Sequence, residues 1–263
     1  MPLSHYFRLM DTLARMALRA DSAKYFLGYI WWILEPLLFV LVFYVVFDII
    51  LGTRQGDFLM FLMTGKLPFV WFSKSVTLAS LSLIQGVGLI GKINVPKSLF
   101  PMAALQEGLY KQAAVFLLLF TVLVVGGYPI TSAWWYLIPV IFVNYLMIVA
   151  CGLIGAIMVC LLRDCSLLIA LGMVFLMFTS GIFWDVRGLG DPRMTELVLA
   201  LNPLAFILDA YRQILMVGAA PDLVHLAAIG LGSGALAYAM VLVMRRSSQY
   251  PVSYTHLTLP TRC

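Results

Sequence analysis

Residues 133–162 read AWWYLIPVIFVNYLMIVACGLIGAIMVCLL, thirty positions without a charged side chain. Crossing the hydrocarbon core of a bilayer takes about 20 helical residues, so this stretch is long enough to span with its aromatic start at an interface. Similar apolar runs occupy 28–51, 58–84, 101–126, 166–184 and 223–244. Of the 263 residues, 63% are hydrophobic and 11% charged, with a mean hydropathy of +1.00. A soluble domain has about 45–50% and about 25%, so this chain has too few polar residues to coat a water-soluble globule. The fold class expected is all-α and polytopic, with six transmembrane helices. At about 20 residues each, these leave no room for a sizeable catalytic domain.

The net charge of +5 comes from 17 Lys and Arg against 12 Asp and Glu. These cations sit at the edges of apolar runs, which speaks for membrane topology and against nucleic acid as a partner. On a six-span reading, Arg8, Arg15, Arg19, Lys24, Lys92, Lys97, Arg163, Arg245 and Arg246 fall on one side. Arg54, Arg187, Arg193 and Arg212 fall on the other, so the positive-inside rule places both termini in the cytoplasm. Before the first span, residues 1–27 carry Phe7, Met10, Ala14, Ala17 and Leu18 at helical steps, the pattern of an amphipathic interface helix or of an ordinary solvated one. The N-terminus has no uninterrupted apolar core and no small-residue cleavage site, so no cleavable signal peptide is expected. The membrane part is 28–246. The tail at 247–263 ends in PVSYTHLTLPTRC, breaks the membrane pattern, and reads in part as a scar of cloning or assembly.

Segment 196–217 is long enough for a seventh span. However, Asn202-Pro203 divides it into two short pieces, and Asp209 and Arg212 are costly at mid-membrane, so two short helices dipping into the outer face are expected instead. Gly86 to Gly91 matches G-x-G-x-x-G, with Lys92 following. Ile93 stands where a phosphate loop needs Ser or Thr, and no nucleotide domain surrounds it, so the match is read as coincidence. There is no HExxH, no G-x-S-x-G and no metal-spaced cluster, and the histidines are only His5, His225 and His256. Cys151, Cys160, Cys165 and Cys263 form no CxxC pair and read as inert thiols. No cofactor, metal or catalytic group is expected. A lipid-linked glycosyl or phosphotransferase using Asp185 and Asp191 stays open as a rival; local charge pairing with Arg187 and Arg193 explains the same residues.

Charges inside spans carry more information, because each costs about 2.5–3.5 kcal/mol to insert. Glu35, Lys66, Lys74, Glu107 and Lys111 therefore need partners or water. Lys66 and Lys74 either line a pathway for an anionic substrate or reach an interface. Glu35 stands just before Pro36, whose ring can bend the first span near its inner end; the carboxylate reads equally as a snorkelling or helix-end one. Phe39, Phe43 and Phe47 recur at four-residue steps. They suit an aromatic surface for sugar rings, or helix packing and lipid contact.

Leu27-Gly28-Tyr29-Ile30-Trp31 with Glu35-Pro36, Gly65-Lys66-Leu67-Pro68-Phe69, and Gly91-Lys92-Ile93-Asn94-Val95-Pro96-Lys97 followed by Pro101 occur in this order, before Asn202-Pro203-Leu204 and Tyr211-Arg212. In this set the chain resembles the permeases of polysaccharide ABC exporters, most closely the O-antigen (Wzm-like) group, over about residues 5–246. The resemblance implies a non-enzymatic subunit that forms a homodimer and binds two copies of a separate ATPase. It also implies location in the inner membrane, contact with membrane lipid, and export of an undecaprenyl-linked polysaccharide; capsular polysaccharide, teichoic acid or another lipid or drug remain alternative substrates. It places ATPase coupling at Asn94, Val95, Pro96, Lys97 and Pro101, within 92–101. The two gate helices fall at 187–217, with Asn202, Pro203, Tyr211 and Arg212 at the periplasmic gate. Arg19, Lys24, Tyr29 and Glu35 fall at the cytoplasmic gate. Lys66 departs from the family pattern, which has a small or apolar residue there.

Overall fold

The apolar runs fold as helices, and among the described residues there are no strands. The computed structural model describes residues 2–50, 52, 58–86, 88 and 95–247, without the side chains of 47, 48 and 247. Phe47, Asn94, Lys92 and the tail from 248 therefore lie outside the described residues or side chains. The helices are α1 (Leu3–Ser22), α2 (Trp31–Tyr44), α3 (Phe58–Gln85), α4 (Leu99–Val125), α5 (Leu137–Leu161), α6 (Cys165–Thr179), α7 (Pro192–Leu201), α8 (Pro203–Arg212) and α9 (Leu223–Ser247).

Four helical segments are long and apolar enough to cross a membrane alone: Phe58–Gln85, Leu99–Val125, Ser132–Leu161 and Leu223–Arg246. The expected first and fifth spans are shorter as regular helix, for two local reasons. α2 starts from a 3-10 turn at Gly28–Ile30, contains Pro36, and continues as a π-helix over Val45–Ile50, so its regular part is only 14 residues. α6 stops at Thr179, because the chain turns at Gly181, whose φ of +70° favours glycine. Segment 192–217 is a pair of helices bent by 113°. Asn202 makes the corner: its Oδ1 accepts from the Leu204 and Ala205 amides at 3.1 Å, and Pro203 takes the first helical position, where no donor is missed.

α3 is the central post, packed against α2, α4, α5, α6 and α8. Its most apolar window has a hydropathy of 1.4, against 2.0 to 2.5 for the other three, yet more than half of it is buried. Thr64, Lys66, Ser75, Ser80 and Ser82 are tolerated there because they face protein instead of lipid. Close approach comes from small residues. A Cβ on Gly155 of α5 would stand 2.9 Å from the Ser80 Cβ of α3, and one on Gly152 would stand 3.1 Å from the Ala79 Cβ. By contrast, Leu167, Leu168, Leu171, Phe175 and Phe178 on α6 and Leu38, Leu41 and Val42 on α2 are exposed, the surface expected of helices that meet hydrocarbon.

α1 lies against the start of α4. Met10 and Ala14 are buried, and Met10 packs with Leu99 and Ala103, flanked by Tyr6, Leu9, Leu13, Val95 and Met102. Phe7, counted in the apolar stripe, is exposed. Tyr6 Oη and Ser98 Oγ are 3.2 Å apart, and Tyr110 donates to Asp11. Arg245 at the end of α9 is close enough for its charge to act on Tyr6, whose hydroxyl is nevertheless pushed up, chiefly by burial. Both ends of the described chain thus share one end of the bundle, while α7, α8 and the loop at 126–136 share the other.

Replacing Gly155 with Ala should push α3 and α5 apart and destabilise the fold by about 1–3 kcal/mol, the usual cost of an overpacked core. Thermal unfolding of the detergent-purified protein measures it, and an unchanged midpoint counts against this contact.

Candidate functional site

Lys66, two residues before Pro68 in α3, points into the bundle and is only 5% exposed. Its Nζ donates to Met177 Sδ at 3.0 Å, and the rings of Phe43, Phe69 and Phe39 lie 5.2, 5.5 and 5.7 Å away. Two of the pathway residues proposed on α2, Phe39 and Phe43, are thus brought to the lysine proposed on α3. Three rings at about 1 kcal/mol each offset much of the insertion cost of about 2.5–3.5 kcal/mol, but they leave the charge itself in place. Lys74 has a different setting. It is half-exposed and ion-paired with Glu35 at 2.5 Å, so a pathway candidate and a gate candidate neutralise one another. Lys66 and Lys74 both line a cleft of about 320 Å³ between α2, α3 and α6.

A second cleft, of about 470 Å³, opens between α2, α3 and α4 beside the end of α1. Lys111 of α4 stands at its wall, 2.6 Å from Asp21 Oδ2 and 2.8 Å from Glu107 Oε1, with Trp32 at 5.3 Å. Trp32 Nε1 also donates to Asp21 Oδ2 at 3.2 Å. Burial by itself would raise the Asp21 carboxyl, but the hydrogen bond and charge of Lys111, with help from Trp32 and Lys24, hold it below its usual 3.8. The segment leading into α2 is fixed by aromatics: Tyr25 stacks on Trp31, and Tyr29 meets Trp32 edge-on at 4.8 Å. Arg19 and Lys24 are exposed at the end of α1, and Lys24 reaches Asp21 at 3.8 Å. Next to this cleft Val95 packs near α1. The Pro96 carbonyl accepts from the Leu99 amide at 2.9 Å, Lys97 lies in the turn between them, and Pro101 is buried in the first turn of α4.

The opposite end is built around Arg212, 6% exposed. Its Nη1 donates to the Gly181 carbonyl at 2.6 Å and its Nη2 to the Ile182 carbonyl at 3.1 Å; Nε and Nη2 reach the Phe61 carbonyl at 3.4 and 3.3 Å. The guanidinium lies 3.6 Å from the Phe61 ring centroid. Gly65 is required here, since a Cβ on it would stand 2.4 Å from Nη2. Asp209 accepts from Arg187 at 2.8 to 3.1 Å and from Gln213 at 2.5 Å. Asn202 Nδ2 donates to Ser180 Oγ at 3.0 Å, and Tyr211 is fully buried beside Phe116. Of the residues assigned to this gate, Tyr211 and Arg212 are buried.

Asp185 and Asp191 do not pair with the side chains of Arg187 and Arg193. Each accepts the backbone amide two residues on, at 2.9 Å, as a turn cap. Asp21, Met177 and Gly65 are site residues that sequence reasoning missed. Asp21 carried a usable signal: it is a carboxylate just before a span that lies next to a span with an unpaired-looking lysine.

No protein-family model matches the chain. Among curated proteins it is 25% identical over 218 residues to the O-antigen export system permease protein RfbA of Klebsiella pneumoniae, covering 82% of this chain and 83% of that one. It is 24% identical over 241 residues to RfbA of Myxococcus xanthus, covering 90% and 91%. With the polysialic acid transport protein KpsM of Escherichia coli it shares 27% over 219 residues, covering 80% and 81%. The resemblance to ABC permeases of polysaccharide export read from the sequence is borne out.

Arg212→Met should leave the Phe61, Gly181 and Ile182 carbonyls short of a donor, at about 1–3 kcal/mol for each that stays dry, and Arg212→Lys should rescue little, because an ammonium cannot fork to three acceptors in this plane. Gly65→Ala should resemble Arg212→Met in thermal unfolding. The contribution of Asp21, whose carboxyl is held low, is present above 3.8 and is lost as pH falls below that value; Asp21→Asn should flatten the acid limb of a stability profile between pH 5 and pH 2.

Proposed function

We propose that the chain is the transmembrane permease of an ATP-driven exporter of lipid-linked polysaccharide, of the O-antigen type, in the inner membrane. The observation that carries this reading is the similarity to export permeases over four fifths or more of the chain. Two copies form the conduit, and two copies of a separate ATPase drive it. The six-span reading takes α2 with its π-helical extension and α6 as the two short crossings, with α7 and α8 as gate helices at the outer end. The approach of Arg245 to α1 supports an even number of crossings, and the positive-inside count favours the cytoplasmic side for both termini.

The work is mechanical. Val95, Pro96, Lys97 and Pro101, together with Asn94, form the elbow that receives the ATPase stroke. The seat of α1 on α4 supports this, because Met10, Tyr110 and Lys111 join α1 to the first half of α4, and a push on the elbow moves both. The diphosphate of an undecaprenyl carrier enters near Arg19, Lys24, Tyr29 and Glu35 at the cytoplasmic gate, and the glycan passes over the aromatic faces of α2. Asp185 and Asp191, engaged as caps, favour transport over a transferase reading.

Deleting the gene should abolish surface polysaccharide without drug sensitivity, and the tagged protein should co-purify with a Walker-type ATPase. Lys97→Glu should reduce glycan export while leaving the protein in the membrane. Nucleotide hydrolysis by the isolated chain overturns the proposal.

A further inference from the structure

Of the four cations Lys66, Lys74, Lys111 and Arg212 in the described helices of the bundle, Lys66 is the one that meets neither a carboxylate nor a carbonyl. Lys74 has Glu35, Lys111 has Asp21 and Glu107, and Arg212 has three carbonyls. Lys66 has the Met177 thioether and three phenyl rings. A thioether is a weak acceptor and an ammonium has three protons, so donor capacity for two oxygen atoms is left over. Ring quadrupoles attract the charge without cancelling it. The ammonium is part of the wall of the 320 Å³ cleft between α2, α3 and α6, which Phe39, Phe69, Ser73 and Thr77 also line. Phe39 is 48% exposed, so the cleft is open at its flank. Flat apolar faces, hydroxyl groups and one uncompensated positive charge are therefore within reach of a single small ring.

We propose that this cleft binds an anionic sugar unit, its carboxylate on Lys66 and its ring against Phe39 and Phe69, so that the exported glycan carries acidic residues. This rests on the export reading and adds the chemical class of the cargo. A carboxylate supplies the two oxygen acceptors that the ammonium lacks. A pyranose has both a flat apolar face for the rings and hydroxyls for Ser73 and Thr77, whereas an alkyl phosphate has a flexible chain and no sugar hydroxyls.

The test uses the purified full chain in phosphatidylcholine nanodiscs, titrated calorimetrically with hyaluronan hexasaccharide, which alternates glucuronate with N-acetylglucosamine. Chitohexaose, N-acetylglucosamine alone, is the neutral match, and dodecyl phosphate is the lipid-phosphate arm. A charge-assisted hydrogen bond supports a preference of about tenfold or more for the acidic hexasaccharide over chitohexaose. Lys66→Gln should remove that preference and keep chitohexaose binding, Lys66→Arg should keep both, and Phe39→Leu should weaken both sugars alike. Equal binding of the two sugars, no binding of either, or an unchanged preference in Lys66→Gln overturns the proposal. So does a Lys66-dependent preference for dodecyl phosphate over the hexasaccharide, which assigns the site to a lipid phosphate. If Lys66→Gln fails to fold, the Phe39→Leu titration and the wild-type preference decide. Loss of the preference with surface glycan still dependent on the gene leaves the export reading standing; surface glycan unaffected by deletion removes that reading too.

Discussion

Hydrocarbon offers no hydrogen bonds, so a buried charge or broken helix end in this chain has to find its partners within the protein or be left with capacity to spare. That constraint explains why the irregular places in the fold are also its best-bonded ones. Where α6 stops short, the carbonyls of Gly181 and Ile182 receive Arg212, and the Phe61 carbonyl of α3 receives the same guanidinium. Where the chain breaks between α7 and α8, Asn202 caps the new helix and ties it to Ser180. Where a lysine is needed in α4, a carboxylate comes to it from α1 and a second from the preceding turn of α4 itself.

The two clefts follow from the same rule applied to side chains. Glu35 with Lys74 is a pair that can face the cleft because each cancels the other. Lys66 is held by polarizable partners alone, which makes it tolerable without making it neutral. The difference between a neutralised cation and a merely accommodated one separates the structural charges of this protein from the charge available to a passing ligand.

Much of this was legible in the chain. Runs of apolar residues gave the helices at 58–85, 99–125, 132–161 and 223–247 nearly to the residue, because uniform hydrophobicity has no competing reading at that length. The break at Asn202-Pro203 was legible because proline cannot continue a helix and asparagine caps one. The partners of the charges were not. Asp21 lies 90 residues from Lys111, and Met177 lies 111 residues from Lys66; such pairings depend on how the helices pack, which periodicity does not encode. Nor did composition show that Asp185 and Asp191 would turn to their own backbone, since a two-residue hydrogen bond and an ion pair draw on the same residue types.

The corner at Asn202 has two unequal arms. Every residue of α8 after Pro203 is buried, whereas α7 has none that is. Displacing α8 would strip the guanidinium from three carbonyls at once; displacing α7 costs little beyond its contacts with α8 and the turn at Val186–Gly188. The corner thus joins one firmly held arm to one lightly held arm, with a single asparagine capping the junction.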